Sequence, residues 1–572
     1  MASRLGVSES PGQRHRPAQL AALIRPRLAS GARRLLGTVA LARGWRAAPC
    51  LAAAAALALA GVPPAAAAAG HDAPLAAQPF PAPTWVDTAG PVALSSPTVA
   101  TLDGVEAVVF GTESGYLYAV DAATGQSLPG WPVAVSLGPG VPTAIESSPT
   151  VAYLDGPSKP PTIIVGAGST YVAHQQGGLM AFRENGSVRF VFHTLDVFNE
   201  WDGSSTPGPT GYDNAVFSTP AVGDITGNGQ QDIVFGSWDH RLYALTPSGR
   251  LVHGFPIDTE DTIWSSPALF HVRGRGRAED IFIGGDASGH DGCYGGFVSD
   301  YTYRRGAPRL VWQHCENQTI WSSPAVGVIN ATGRPAVVVG TGFGEPPPYR
   351  SASYRLFAFY ADNGRRVPGW PVRTLGPSFG SPAIGTLPGS NLPSVVDTSW
   401  CVRCDRSRPG ASEVYAWSGS GTLEWSQTLE GPNDFSSPVL ADLTGTGVND
   451  VLVGSSAGLY ALDGATGAFL FGTSETAAIN TCSMQNAVAV ADVPGSGPGA
   501  GWHLFEACGG PKELIATGRL FSYPLPAAPA SPPPWPMWRA DPTHDGVAAS
   551  TLPLERRALA RVRSRLRRTR AP

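Results

Sequence analysis

The sequence predicts an all-β fold, a β-propeller of about eight four-stranded blades. Three observations lead there. One short phrase recurs along the chain, the segments around it alternate as strands and tight turns, and no stretch keeps a helical period between them. The composition agrees, with Gly 69 and Pro 54 in 572 residues and 43 % apolar residues. That suits many short strands joined by turns around a substantial core.

The recurring phrase is two small polar residues, then Pro, then an alternating apolar run. It stands at Ser96-Pro97, Ser148-Pro149, Thr219-Pro220, Ser266-Pro267, Ser323-Pro324, Ser381-Pro382 and Ser437-Pro438. A degenerate eighth copy is Asn486-Ala487, before Val-Ala-Val-Ala-Asp492. Self-similarity at a period of roughly 50 residues marks a repeat architecture. The rest of each unit recurs too: Val108–Gly125 reads VVFGTESGYLYAVDAATG, Ile233–Gly249 IVFGSWDHRLYALTPSG and Val451–Gly467 VLVGSSAGLYALDGATG. Each is a β-branched run, a turn, an aromatic alternating run and a Gly turn, hence strand, hairpin, strand, hairpin. The fourth strand follows as Gly-Trp131-Pro-Val, Gly-Phe255-Pro-Ile or Gly-Trp370-Pro-Val. A lone four-stranded sheet leaves both faces wet, and packing the sheets around an axis buries them. Eight copies give eight blades, or seven if one copy is split or lost. Residues before Ser95 or after Arg519 are expected to complete a blade with the other terminus.

The ends differ from this body. Residues 1–69 read as a targeting segment: basic to Arg46, apolar from Leu51 to Val62, then Pro63-Pro64 and the small run Ala65–Ala69. The apolar stretch is too short to span a bilayer. Cys50 precedes it, which argues against a lipoprotein site, and Arg33-Arg34 is a weak twin-arginine pair. The propeller is expected over 90–546, and 551–572 form an Arg-rich tail, read first as solvated. Export, extracellular or periplasmic, follows. So does no transmembrane span elsewhere, and a monomer is expected. The body, 71–550, holds 23 Lys+Arg against 42 Asp+Glu. An acidic body speaks against nucleic acid, which needs a basic face.

Without the leader, six cysteines remain: Cys293, Cys315, Cys401, Cys404, Cys482 and Cys508. An even number in an exported chain predicts disulfides. Neighbour pairing gives 293–315, 401–404 and 482–508, one connectivity among fifteen. Cys401-Val-Arg-Cys404 has redox or half-zinc spacing, but neither a second pair nor a βαβ context accompanies it.

These repeats resemble FG-GAP/VCBS-type and PQQ-like (quinoprotein-like) propeller repeats. The likeness rests on Ser-Ser-Pro, the Asp-x-Thr-Gly turns, the Leu-Tyr-Ala-Leu strand, Gly-Trp-Pro-Val and the closing Trp535-Pro-Met-Trp-Arg-Ala-Asp-Pro-Thr-His-Asp-Gly546. It covers about 90–546 and is specific for fold, not for activity. It implies candidate calcium loops at Asp224-Ile-Thr226-Gly-Asn228-Gly-Gln230-Gln-Asp232 and Asp442-Leu-Thr444-Gly-Thr446-Gly-Val448-Asn-Asp450. Calcium takes six to eight hard oxygens on a Gly-bent loop. Positions 1, 3, 5 and 9 offer side-chain oxygens in the first copy, and position 7, Gln230 or Val448, a carbonyl. Related loops carry more Asp, so affinity should be weak. The other reading is a tight turn whose Asp accepts backbone N–H bonds. A PQQ cofactor is disfavoured, because the vicinal Cys pair such enzymes carry is absent here.

Other motifs carry less. Gly454-Ser-Ser456-Ala-Gly458 matches G-x-S-x-G, but a strand follows where that chemistry needs a helix. Gly340-Thr-Gly342-Phe-Gly344 lacks the helix of a nucleotide loop. His240, His253, His271, His290, His314 and His503 show no metal spacing. Trp131, Trp264, Trp321 and Trp370 read as packing between blades, whereas Trp201 and Trp400 fall in loops and could stack on sugars. Insertions at Asn199–Asn214, Gly285–Arg309 and Gly342–Ser353 are candidate binding loops. The leading function is a non-enzymatic binding or scaffold module for a protein or glycan. The alternatives are a PQQ/calcium dehydrogenase and a polysaccharide-active enzyme on a calcium-bearing propeller.

Overall fold

Runs such as Asp450–Ser455 (DVLVGS) are buried along their whole length. Alternation is lost there because a neighbouring sheet covers each face. In the computed structural model the described residues are 79–548, apart from 139–141, 169–175, 196–213, 260–261, 287–292, 294, 317, 343–353, 390–391, 401–409, 434, 472–477, 496, 498 and 511–516. The targeting segment, the Arg-rich tail, Cys401, Cys404, Trp201 and His290 therefore lie outside them.

Every described element is a strand, in eight antiparallel sheets. The first blade runs from its inner strand outward as Thr98–Leu102, Val105–Gly111, Tyr116–Asp121 and Val133–Ala134. The inner strands of blades two to seven are Thr150–Ala152, Ala221–Gly223, Ala268–Phe270, Ala325–Gly327, Ala383–Gly385 and Val439–Ala441. Each contains or directly follows the recurring phrase. The eighth blade takes Ala489–Val493, Gly501–Cys508 and Gly518–Pro524 from the C-terminal part and its outer strand, Trp85–Ala89, from the N-terminal part. Phe521 lies opposite Val86 in that pair. Two distant parts of the chain thus share one sheet and close the ring.

One blade departs from the expected four strands. Among the described residues the seventh shows three, Val439–Ala441, Asp450–Ser455 and Gly458–Leu462. The chain after Gly467 lacks the Gly-aromatic-Pro phrase that starts the outer strand elsewhere, and a single bridge, Leu459 to Asn480, stands in its place. Cys482–Cys508 anchors that connection to the eighth blade, and Cys293–Cys315 ties the fourth blade's loop to its outer strand. Among the described residues no helix is long and apolar enough to cross a membrane.

The sheets pack face to face. One cluster joins Val338 and Ala358 of the fifth blade to Val395 and Ala416 of the sixth. Indoles stitch the blades at their outer strands: Trp131 Nε1 donates to Glu184 O at 2.9 Å and Trp370 Nε1 to Gly419 O at 3.0 Å, each in the next blade. Close approach explains the glycine of the second strand. A Cβ at Gly111 would lie 2.2 Å from Ile145 Cγ2, and the Gly111 N–H donates to Ser95 Oγ at 2.9 Å.

Candidate site at the propeller mouth

The recurring phrase builds a ring of hydroxyls around the axis. Ser96 N–H donates to Ser148 Oγ at 2.9 Å, Ser148 to Thr219 at 3.2 Å, and Thr219 to Ser266 at 2.8 Å. Ser266 donates to Ser323, Ser323 to Ser381 and Ser381 to Ser437, at 2.8, 2.9 and 2.8 Å. Ala487 N–H returns the circuit to Ser96 Oγ at 3.1 Å. In seven of the eight phrases the second residue is small and hydroxylated because its oxygen takes the previous blade's N–H. Proline follows, and an inner strand begins at once.

The residue before each phrase points to the mouth of the ring. In five successive blades it is aromatic: Phe217, Trp264, Trp321, Phe379 and Phe435. The other three blades supply Gln485, Leu94 and Glu146. Trp264, Trp321 and Phe435 are half-buried, and Phe217 and Phe379 are buried. Consecutive rings lie nearly parallel. Trp264 and Trp321 have centroids 4.7 Å apart at 23°, and Trp321 and Phe379 4.5 Å apart at 26°. This corrects the sequence reading of Trp264 and Trp321. Trp131 and Trp370 do pack between blades, but these two line the axis. The signal was present: all five aromatics immediately precede the small-polar pair.

The chain's closing segment fills the axis beneath. Val151 N–H donates to Pro542 O, Val222 to Thr543 O, Leu269 to Asp545 O, Val326 to Gly546 O, Leu440 to Trp535 O and Val490 to Pro536 O, at 2.7–3.0 Å. Six inner strands thus spend an N–H on one peptide. Arg539 is 2 % exposed and donates to Pro267 O, Pro324 O and His544 O. Burial lowers its pKa to about 9. His544, fully buried, reaches Trp538 O, Pro149 O and Thr98 Oγ1. Neither was singled out in the sequence, because their partners come from remote repeats. Trp538 Nε1 donates to Thr219 Oγ1 at 3.0 Å and floors the mouth, leaving a cavity of ≈ 50 Å³. A larger cavity, ≈ 980 Å³, opens at the other end of the inner strands beside Asp155, Glu279, Asp541 and Asp545.

The Asp-x-Thr-Gly loops lie between inner and second strands. Asp224 accepts from Asn228 N at 3.0 Å and Gly229 N at 2.8 Å, and Asp442 from Thr446 N, Gly447 N and Ala530 N at 3.1, 2.8 and 2.9 Å. Asp232 accepts from Thr226 N and Oγ1, Asp450 from Leu443 N, and Asn228 Oδ1 from Gln230 N. Thr444 and Thr446 hydroxyls lie 3.0 Å apart, and Val448 is half-buried. Burial raises Asp232 to about 6 and Asp450 to about 8. The loops therefore place each candidate ligand around a backbone turn.

Four of the other histidines each reach one oxygen: His253 Gly306 O, His271 Gly276 O, His314 Gly364 O and His503 Ser522 Oγ. Ser456 stands in the hairpin between Asp450–Ser455 and Gly458–Leu462, in keeping with a turn. Trp400 packs 5.9 Å from Phe379 at the mouth. Near the mouth Asp239 shares a very short bond with Tyr243, and burial raises that carboxyl to about 7.

No family model matches this sequence, and no curated protein matches it. Solved structures do. The V. cholerae biofilm matrix protein Bap1 is similar at 14 % identity over 79 % of this chain and 92 % of that one, with a TM-score of 0.51. BamB from Moraxella catarrhalis is similar at 14 % identity over 77 % of this chain and 98 % of that one, with a TM-score of 0.40. The first likeness supports the fold and nothing finer.

Proposed function

We propose that this chain is an exported propeller that binds a protein or glycan ligand at the aromatic mouth and does not transform it. The observation that carries this reading is the arc of five aromatic residues from five successive blades, three of them half-exposed around one opening. Aromatic surface with a few convergent polar groups, held on a rigid scaffold, is the usual make-up of a recognition site. The hydroxyl ring and the axial segment supply the rigidity. The two disulfides suit an oxidising, extracellular or periplasmic setting.

The test is binding of residues 70–572 to arrays of glycans and of envelope proteins, beside the double variant Trp264→Ala/Trp321→Ala. The variant is expected to lose binding while its melting temperature stays within a few degrees of the parent. Unchanged binding would move the site away from the mouth. Release of a product from a bound glycan would make the protein an enzyme.

A further inference from the structure

We infer that the mouth cavity recognises an uncharged, hydroxyl-bearing group, which makes the ligand a neutral glycan; this rests on the mouth being the binding site. The polar half of the cavity carries the inference. Asn486 Nδ2 donates to Ser95 O at 2.8 Å and Ala507 O at 2.9 Å. Those two carbonyls fix the amide's orientation. Its Oδ1, on a residue 2 % exposed, has no donor. A buried acceptor left unmet is costly, so it calls for a donor from whatever enters the cavity. On the floor, the oxygens of Ser148, Ser266, Ser323 and Ser381 already accept backbone N–H bonds, which leaves their protons to donate. The cavity thus asks for a group that both donates and accepts.

Charge and ring geometry narrow the choice. Among the described residues no Lys, Arg or His lines the cavity, so a phosphate, sulfate or carboxylate would find no counter-charge from them. A cation would meet the Glu146 carboxyl on one side but would need open aromatic faces on the other. Here consecutive rings cover one another's faces: Phe217 and Trp264 at 5.1 Å and 28°, and Phe379 and Phe435 at 5.8 Å and 26°. The positive ring edges are left over, and they suit oxygen lone pairs rather than ammonium. A hydroxyl satisfies all of these terms. The volume of ≈ 50 Å³ admits a hydroxymethyl-sized group and not a whole sugar ring. The pocket therefore reads a protruding hydroxyl, with the rims of Trp264, Trp321 and Phe435 beneath the rest of the sugar.

The experiment is an array of neutral, uronate-bearing, sulfated and amino-sugar oligosaccharides probed with residues 70–572 and three single variants. Neutral glycans are expected to be retained. Asn486→Leu should weaken that binding by about tenfold or more, as should Trp264→Ala, which keeps the test open if the first variant folds poorly. Glu146→Gln removes the one carboxyl among the described lining residues and should weaken an amino sugar more than a neutral glycan. Preference for amino sugars with loss in Glu146→Gln would overturn the inference. So would neutral binding indifferent to both Asn486→Leu and Trp264→Ala. A protein ligand lost in Trp264→Ala/Trp321→Ala, with no neutral glycan retained, would overturn it and leave the mouth as the binding site. Indifference of every ligand to that double variant would instead remove the mouth itself.

Discussion

The backbone N–H of Ala487 donates to the hydroxyl of Ser96 at 3.1 Å, across 391 residues of chain. This bond closes a circuit in which each blade's N–H meets the next blade's hydroxyl. The circuit has one gap. Ser437 N–H should meet the side chain of residue 487, and alanine has no oxygen to offer.

Ala487→Ser is therefore expected to stabilise the protein. One net hydrogen bond is worth about 1 kcal/mol. Ser96→Ala should do the reverse, costing about 1–3 kcal/mol by leaving the Ala487 N–H without its acceptor. Urea melts of both variants check this. A neutral Ala487→Ser would mean that the gap is already filled, for instance by solvent.

Arg539 ties carbonyls of two blades and one of its own closing segment to the axis. Removing one partner of a buried charged network costs about 3–5 kcal/mol. Arg539→Met should cost about that much, through the carbonyls of Pro267, Pro324 and His544. Arg539→Lys should rescue little, because one ammonium cannot reach three separated acceptors in the guanidinium's plane. Thermal unfolding by circular dichroism decides, and a Lys variant as stable as the parent would contradict this role.

Glu506 is fully buried, and desolvation raises its carboxyl to about 8 despite a bond from Asn480 Nδ2. Its pKa is higher folded than unfolded, so the folded state holds the extra proton. Stability from this group is full below the unfolded value near 4.3 and falls as pH rises toward about 8. Glu506→Gln should flatten that slope and melt higher than the parent at pH 8, by about 2 °C or more. Equal slopes from pH 5 to 8 would show that Glu506 relaxes into solvent.

The two disulfides close loops of similar length, with separations of 22 and 26 residues. Chain entropy alone gives each about 3 kcal/mol. Cys482–Cys508 also secures the connection that follows the seventh blade, whose outer edge is a single bridge among the described residues. Cys482→Ser/Cys508→Ser is expected to lower the melting temperature more than Cys293→Ser/Cys315→Ser. Equal losses would reduce both bonds to loop closure.

Much of the ring was legible because its physics repeats. A hydroxyl, a proline and an inner strand are needed once per blade, so Ser-Ser-Pro counts blades. The third strands announced themselves through Leu-Tyr-Ala-Leu for the same reason. The mouth was harder to see, since tryptophan does two jobs in this chain. Trp370 sits before proline and donates to the next blade, whereas Trp321 sits before two serines and faces the axis. Arg539 and His544 occur once, and their partners are backbone carbonyls of remote repeats, which no local spacing reveals. Among the described residues the seventh blade's outer strand is reduced to the Leu459–Asn480 bridge, and the sequence signals this only by lacking a Gly-aromatic-Pro phrase.

The Asp-x-Thr-Gly loops allow a last, decisive melt. Asp224 and Asp442 each collect two N–H bonds from their own loop, and Asp442 a third from Ala530. Such a cradle organises carboxylate oxygens, but each loop brings only two carboxylates, where tight calcium sites bring more charge. Any calcium held there would be held weakly, and at ten times its dissociation constant it would add about 1.4 kcal/mol by mass action. We expect residues 70–572 to melt higher in millimolar calcium than in EDTA. Asp232→Ala and Asp450→Ala should each remove part of that increment and together all of it. An increment that survives both substitutions would place the ion elsewhere. A melt indifferent to calcium would leave the loops as turns, in which Asp224→Ala still costs about 1 kcal/mol through its lost N–H bonds.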